Sequence, residues 1–160
     1  MGGLFFFFID GIGLGEDDAE INPIRRFLSP YLQDTAFAAE NVPLMGDDFL
    51  LLPIDAELGT AGRPQSATGQ TTIMTGKNAS RRLGYHMQAF PNTELIELIK
   101  EHNLFLDLLN AGVPSTCANL YSEEFLEKRR QRKRNMLPVS ALSLESAGIP
   151  YRYIEDYREG

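Results

Sequence analysis

Arg63-Pro64-Gln65-Ser66-Ala67-Thr68-Gly69-Gln70-Thr71-Thr72-Ile73-Met74-Thr75-Gly76 gathers hydroxyls, amides and small residues around a single cation, with no carboxylate. Pro64 stops any helix arriving from upstream. Ser66 and Thr68 are both suited to cap a new helix by accepting a hydrogen bond from a first-turn amide. Gly76 fits the left-handed position just past a last helical turn. The stretch therefore predicts a loop that becomes a short helix. A helix start draws anions through unpaired N–H groups and a partial positive charge, so a hydroxyl there can be held against a phosphate or sulfate. Gly69 allows a ligand or a neighbouring backbone to come close. The plainer reading is an ordinary serine- and threonine-rich cap.

Nearby motifs narrow the chemistry. Gly76-Lys77 suggests a phosphate-binding G-x-x-x-x-G-K-[ST] loop, but Thr71 and Asn78 stand where glycine and a hydroxyl are required. The nucleophile elbow G-x-S-x-G fails as well, because Pro64 and Thr68 occupy its glycine positions around Ser66. Downstream, Arg81-Arg82-Leu83-Gly84-Tyr85-His86 reads as a loop with two cations and one imidazole. His86 is a candidate substrate contact or proton carrier, or else a structural histidine. Asn92 or Thr93 can cap a helix whose Leu95, Ile96 and Ile99 face the core. A further helix is expected over 104–110, closed by Gly112.

Residues 114–119 are small and read as a strand, 123–134 as a helix, 140–147 as a helix and 151–154 as a strand. Lys128, Arg129, Arg130, Arg132, Lys133 and Arg134 form a basic run without an aromatic platform beside it in the sequence. It reads as a solvated face.

Upstream, Leu4-Phe5-Phe6-Phe7-Phe8-Ile9 is apolar without alternation, the pattern of a strand buried on both faces. Ligands of open α/β sheets gather where strands end, so Asp10 is either a metal ligand or a turn aspartate capping the glycine loop behind it. Gly11, Gly13 and Gly15 suggest a dinucleotide fingerprint, but Glu16 and Asp18 fall where its last glycine belongs in the two registers. A nucleotide-binding Rossmann-like domain is thus the weaker rival. Asn22-Pro23 begins a short helix that Ser29-Pro30 ends, 33–48 form an irregular connection, and 49–54 read as a second apolar strand leading to Asp55 and Glu57.

The chain has 160 residues, enough for one domain with a sizeable core, and a formal charge of −7. That charge argues against a nucleic-acid or anionic-membrane binder, although metals can supply positive charge locally for phosphate esters. Cys117 is the only cysteine, which fits a reducing cytoplasm. Residues 4–9 are too few to cross a bilayer, and Phe6 stands where a myristoylation signal needs Ser or Thr.

Ile9-Asp10-Gly11-Ile12-Gly13 together with Pro64-Gln65-Ser66-Ala67-Thr68-Gly69-Gln70 resembles the N-terminal half of the alkaline phosphatase superfamily. The closest likeness is to its cytoplasmic branch, which includes cofactor-independent phosphoglycerate mutase and metalloenzyme-domain proteins. Asn22-Pro23 and Gly84-Tyr85-His86 are similar to features of that branch, and the resemblance spans most of 4–121.

The resemblance implies an α/β fold with a mostly parallel sheet and helices on both faces, formed incompletely by a single domain over 1–160. It implies a metal-dependent phosphoryl-transfer enzyme, a phosphomonoester hydrolase or phosphomutase acting on a small phosphorylated or sulfated substrate. Asp10 and Ser66 would be metal ligands, Ser66 the nucleophile and Thr68 its fallback. Gln65, Gly69, Gln70 and His86 would contact substrate. Two divalent ions, zinc or manganese with magnesium as an option, would lower the hydroxyl pKa and neutralise developing charge.

One departure is plain: the family's other Asp and His ligands come from a downstream half, whereas only His86 and His102 occur here, outside any D-x-x-x-H or D-H cluster. The expectation is that these residues are the first part of a longer protein, inactive alone, with an apolar sheet edge and face exposed. The other class of function that fits is a non-catalytic α/β domain binding an anion or a partner.

Overall fold

The computed structural model describes residues 3–26, 38–132 and 136–159. The chain divides into two compact units, Met1–Asp55 and Ala56–Gly160, where the sequence leads one to expect a single domain.

In the first unit, residues 4–9 adopt no regular secondary structure and every one of their side chains is exposed. The expected buried strand is therefore corrected. A continuous apolar run needs partners on both faces, and none of the described strands pairs with it. Asp10 and Gly11 form a turn, with Gly11 at φ 79°.

Behind it the glycine loop closes on itself. Asp18 accepts from the Glu20 amide through Oδ1 at 2.8 Å, and its carbonyl takes the Asn22 amide at 2.7 Å. Buried Asn22 donates through Nδ2 to the Glu16 carbonyl at 3.1 Å. Gly15 is needed here because a Cβ would lie 2.8 Å from Asn22 Nδ2. The Ala39 amide donates to the Gly15 carbonyl at 2.9 Å beside a parallel bridge between Gly15 and Ala38.

The expected helix from Asn22 appears as a 3-10 turn, Pro23–Arg26; its continuation to Ser29 lies outside the described residues. A second 3-10 turn, Ala39–Asn41, precedes a hairpin of β1 (Leu44–Met45) and β2 (Leu50–Leu51), paired antiparallel. The strand expected over 49–54 is thus two residues long.

The second unit is built mainly of helices. These are α1 (Ser66–Thr75), α2 (Ala79–Leu83), α3 (Thr93–Glu101), α4 (Leu104–Asn110), α5 (Glu123–Arg130), α6 (Val139–Ser146) and α7 (Ile154–Glu159). Each start follows local chemistry. The Asn78, Asn92, Asn103 and Ser122 side chains accept first-turn amides of α2, α3, α4 and α5. The loop expected over 81–86 holds for 84–86, but Arg81, Arg82 and Leu83 belong to α2, whose cap at Asn78 also donates from Nδ2 to the Leu58 carbonyl at 2.8 Å. Gly76 and Gly84 end α1 and α2 in the left-handed conformation, at φ 66° and 78°.

α6 lies at the centre, packed by α1, α3 and α4. Its Val139, Ala141, Leu142, Ser143 and Leu144 are all buried, so the helix is enclosed on more than one side. Ile99, Tyr121, Leu126 and Leu137 complete this core, and a smaller cluster joins Ala79, Leu95 and Leu98. β3 (Leu120–Tyr121) and β4 (Arg152–Tyr153) pair in parallel beside it. Residues 114–119 are irregular, because the strand expected there forms only where the small residues end.

The chain is therefore α/β, but the expected mostly parallel sheet with helices on both faces is not formed among the described residues. There are two separate ladders of two strands, one antiparallel and one parallel. No described helix is long and apolar enough to cross a membrane.

Candidate functional site

α1 begins at Ser66, with Gln65 as its N-cap in extended conformation and no side-chain capping bond. The caps expected of Ser66 and Thr68 are thus replaced by a backbone arrangement one residue earlier. The Gln65 carbonyl accepts the Gly69 amide at 2.9 Å and the Thr68 hydroxyl at 3.2 Å. Neither acidic nor basic residues occupy the first and last turns of α1, respectively.

Thr68 is fully buried, and its Oγ1 also accepts the Met87 amide at 3.3 Å. The Ala67 amide donates in turn to the Met87 carbonyl at 3.1 Å. Residue 87 therefore pairs by both its backbone groups with the first turn of α1, bringing the segment that carries His86 against the segment that carries Ser66. The Thr68 hydroxyl is engaged as donor and acceptor, so its observed work is to hold these two segments together. Further along α1, Thr72 Oγ1 donates to the Thr68 carbonyl at 2.9 Å and accepts the Ala79 amide at 3.0 Å, joining α1 to α2. Thr71 Oγ1, by contrast, is buried without a hydrogen-bond partner among the described residues.

His86 is half-buried, and its Nε2 lies 2.9 Å from the Thr60 carbonyl. A carbonyl only accepts, so Nε2 carries the proton in this tautomer. Thr60 is itself buried in the loop between 56 and 65, so three stretches meet: that loop, the α1 start and the 86–87 segment. Gln65, Ser66, Gly69 and Gln70 are half-buried on or beside the first turn. A Cβ at Gly69 would meet nothing within 4 Å, so neighbouring protein does not fill the space there.

Asp10 is exposed and belongs to the other unit. Among the described residues no group of three or more His, Cys, Asp or Glu is gathered to hold a metal ion. Two-metal sites require several such donors.

The remaining functional candidates are structural in their surroundings. The basic run extends beyond α5, whose Lys128 pairs with Glu124 and whose Arg130 pairs with Glu145. Arg129 lies over the Phe90 and Phe125 rings, 4.5 and 5.2 Å from their centroids. Phe125 stands three residues ahead of the run on the same helix, folding brings Phe90 beside it, and Arg129 covers both rings.

Tyr121 and Tyr151 pack edge to face with centroids 5.0 Å apart. Burial raises both phenol pKa values above the ordinary 10.0. Thr60 and Met87 escaped the sequence reading because they act through backbone groups, which no residue type announces.

The fold and this cluster define a class no finer than an α/β chain with a serine turn opening a helix and an imidazole on the segment bonded to it. No family model matches the chain, and comparison with curated proteins and with solved structures found no match.

Proposed function

We propose that the turn opening α1 binds the phosphoryl group in a metal-dependent phosphoryl-transfer enzyme, a phosphomonoester hydrolase or phosphomutase acting in the cytoplasm. The observation that supports this reading is the pairing of Met87 with Ala67 and Thr68, which braces the Ser66 and His86 segments against each other. In this reading Ser66 Oγ attacks phosphorus, the bond from phosphorus to the leaving oxygen breaks, and His86 carries a proton for the exchange. The helix start favours the negative charge of the transferring group. Its Ala67 amide is already used by Met87, which leaves less of that field to a ligand. Gln65, Gly69 and Gln70 line the approach to Ser66. The reading calls for a divalent ion, zinc, manganese or magnesium, to neutralise developing charge at this turn.

The test is to supply zinc or manganese with a phosphomonoester and follow phosphorylation of Ser66 by peptide mapping. Metal-dependent labelling of Ser66 that is lost in Ser66→Ala and kept in Thr68→Val is the expected result. Labelling that is indifferent to Ser66→Ala overturns the assignment.

A second reading, binding of an anion or partner without chemistry, is favoured by the bond from His86 Nε2 to Thr60, which makes the imidazole a strut for the loop. Inorganic phosphate that stabilises the chain equally with and without metal, with no labelling of Ser66, is the outcome it expects.

A further inference from the structure

The segment joining α2 to α3 is held at His86, at Met87 and at Phe90. His86 bonds the Thr60 carbonyl, Met87 pairs with Ala67 and Thr68 of α1, and the Phe90 ring lies under the Arg129 guanidinium of α5, 4.5 Å from ring centroid to Cζ. Between Met87 and Phe90 stands Ala89 at φ 64°, a left-handed backbone that an alanine keeps only where its surroundings enforce it. Gln88 and Ala89 are exposed, and neither they nor Phe90 makes a backbone hydrogen bond to the rest of the chain among the described residues. The strained backbone is therefore held on one side by Met87 and on the other by the ring under Arg129.

Arg129 is itself fixed. Its own helix supplies the Phe125 ring, 5.2 Å away, and the next residue, Arg130, ties α5 to α6 through Glu145. A planar guanidinium stacks on aromatic faces and keeps its charge at every ordinary pH.

We propose that Arg129 is a positioning residue for His86. By clamping Phe90 it keeps Ala89 left-handed, and so keeps the imidazole on Thr60 and Met87 on the first turn of α1. Once Phe90 is released, Ala89 relaxes to a negative φ. Only Gln88 and Ala89 separate Met87 from Phe90, too short a stretch to absorb that rotation without pulling on residues 86 and 87. The placement of His86 stands apart from the chemistry of Ser66; its consequence for phosphoryl transfer rests on the function proposed above.

The experiment reads the chain's two histidines by proton–carbon and proton–nitrogen correlation spectra. His102, exposed at the end of α3, is the reference, and His102→Gln assigns the signals. Arg129→Met and Phe90→Leu are each expected to move the His86 signals toward those of an exposed imidazole, with helical circular dichroism unchanged. Solvent exchange of the His86 Nε2 proton should quicken by roughly two- to thirtyfold, the factor equivalent to one lost cation–π contact. Arg129→Lys, which keeps the cation, recovers most of the original spectrum. Lys128→Met, which removes the neighbouring cation on the same helix, leaves His86 unchanged. Ala89→Gly removes the strain and makes His86 insensitive to Arg129→Met.

His86 signals unmoved in both Arg129→Met and Phe90→Leu overturn the proposal, as does an equal shift in Lys128→Met, which assigns the effect to charge alone. An Arg129→Met shift that persists undiminished beside Ala89→Gly overturns the part given to the strained backbone. Where Ser66 takes up phosphate, Arg129→Met slows the labelling. A His86 that moves on release of Phe90, in a chain whose Ser66 is never labelled, supports the placement and counts against phosphoryl transfer alone.

Discussion

The units Met1–Asp55 and Ala56–Gly160 are both well supplied with apolar residues, yet they dispose of them in opposite ways. In the second unit Leu95, Leu98 and Ile99 recur at helical spacing, line one face of α3 and disappear against α1 and α6. In the first unit Phe5, Phe6, Phe7 and Phe8 stand in a row and stay in solvent, while Ala38 is the buried apolar residue among those described. Apolar content alone does not make a core. Periodic spacing lets a helix bury one face against a neighbour from its own unit, whereas an unbroken run requires strands on either side that these residues do not supply.

The sharpest way to break this comparison is a matched pair of truncations. Leu142→Ala, in the enclosed helix α6, is expected to cost ~2–5 kcal/mol in denaturant unfolding followed by helical circular dichroism. Phe6→Ala is expected to move the same transition by less than ~0.5 kcal/mol, because it removes exposed surface. Equal effects would mean that residues 4–9 contribute to the core after all.

A polar position within the second unit ranks next. Asn103 is fully buried, accepts the Phe105 and Leu106 amides at the start of α4, and donates to the Ile99 carbonyl and Ser146 Oγ. Asn103→Ala is expected to cost ~1–3 kcal/mol by the same unfolding measurement. A loss confined to surface-mutation size would show that α4 is held by its apolar contacts alone.

A smaller effect should appear with alkali. Burial raises Tyr121 and Tyr151 above 10.0, so the folded unit keeps both phenols neutral after the unfolded chain has begun to ionise. Their contribution is whole below the ordinary tyrosine value and falls as pH rises past it. Thermal unfolding midpoints measured from neutral to strongly alkaline pH should decline above that value, and Tyr151→Phe should flatten the decline. An unchanged slope in that variant would assign the loss to other groups.

The smallest effect is expected at the surface of α5. The hydrogen bond from Lys128 holds the Glu124 carboxyl below its ordinary pKa, yet the pair is exposed and spaced four residues apart on one helix. Glu124→Ala is expected to leave the unfolding midpoint unchanged at moderate salt. A clear drop would shift the balance of the second unit from its core toward its surface charges.

What could be read in advance divides along the same line. The α3 face with its Asn92 cap, the α4 span and the left-handed Gly76 were all legible, because a helix closes its hydrogen bonds within one segment and its caps lie within three residues. α2 was open to the same argument through Asn78, but the paired arginines and Gly84 gave it the look of a loop. The strands were legible only in part, since Leu50–Leu51 and Arg152–Tyr153 form where a partner lies and stop where it ends. α7 follows Tyr153 directly, where Asp156 Oδ2 accepts the Tyr153 amide at 2.8 Å, in a tail whose polar residues carried no apolar stripe to announce a helix.

The sequence by itself determined the hydroxyl-rich turn at 63–76, the helix start marked by Asn92, the helix over 104–110, the apolar run at 4–9 and the acidic balance of the chain. All of these depend on residue type or on neighbours within a few positions. The tertiary structure decided that residues 4–9 meet no strand among the described residues, that Thr68 latches the turn to residue 87, and that Met87 and Thr60 brace the segments of Ser66 and His86. Those bonds join residues 19 and 26 positions apart. Two of the groups involved are backbone carbonyls and amides, which every residue possesses, so only the folded path of the chain selects which of them meet.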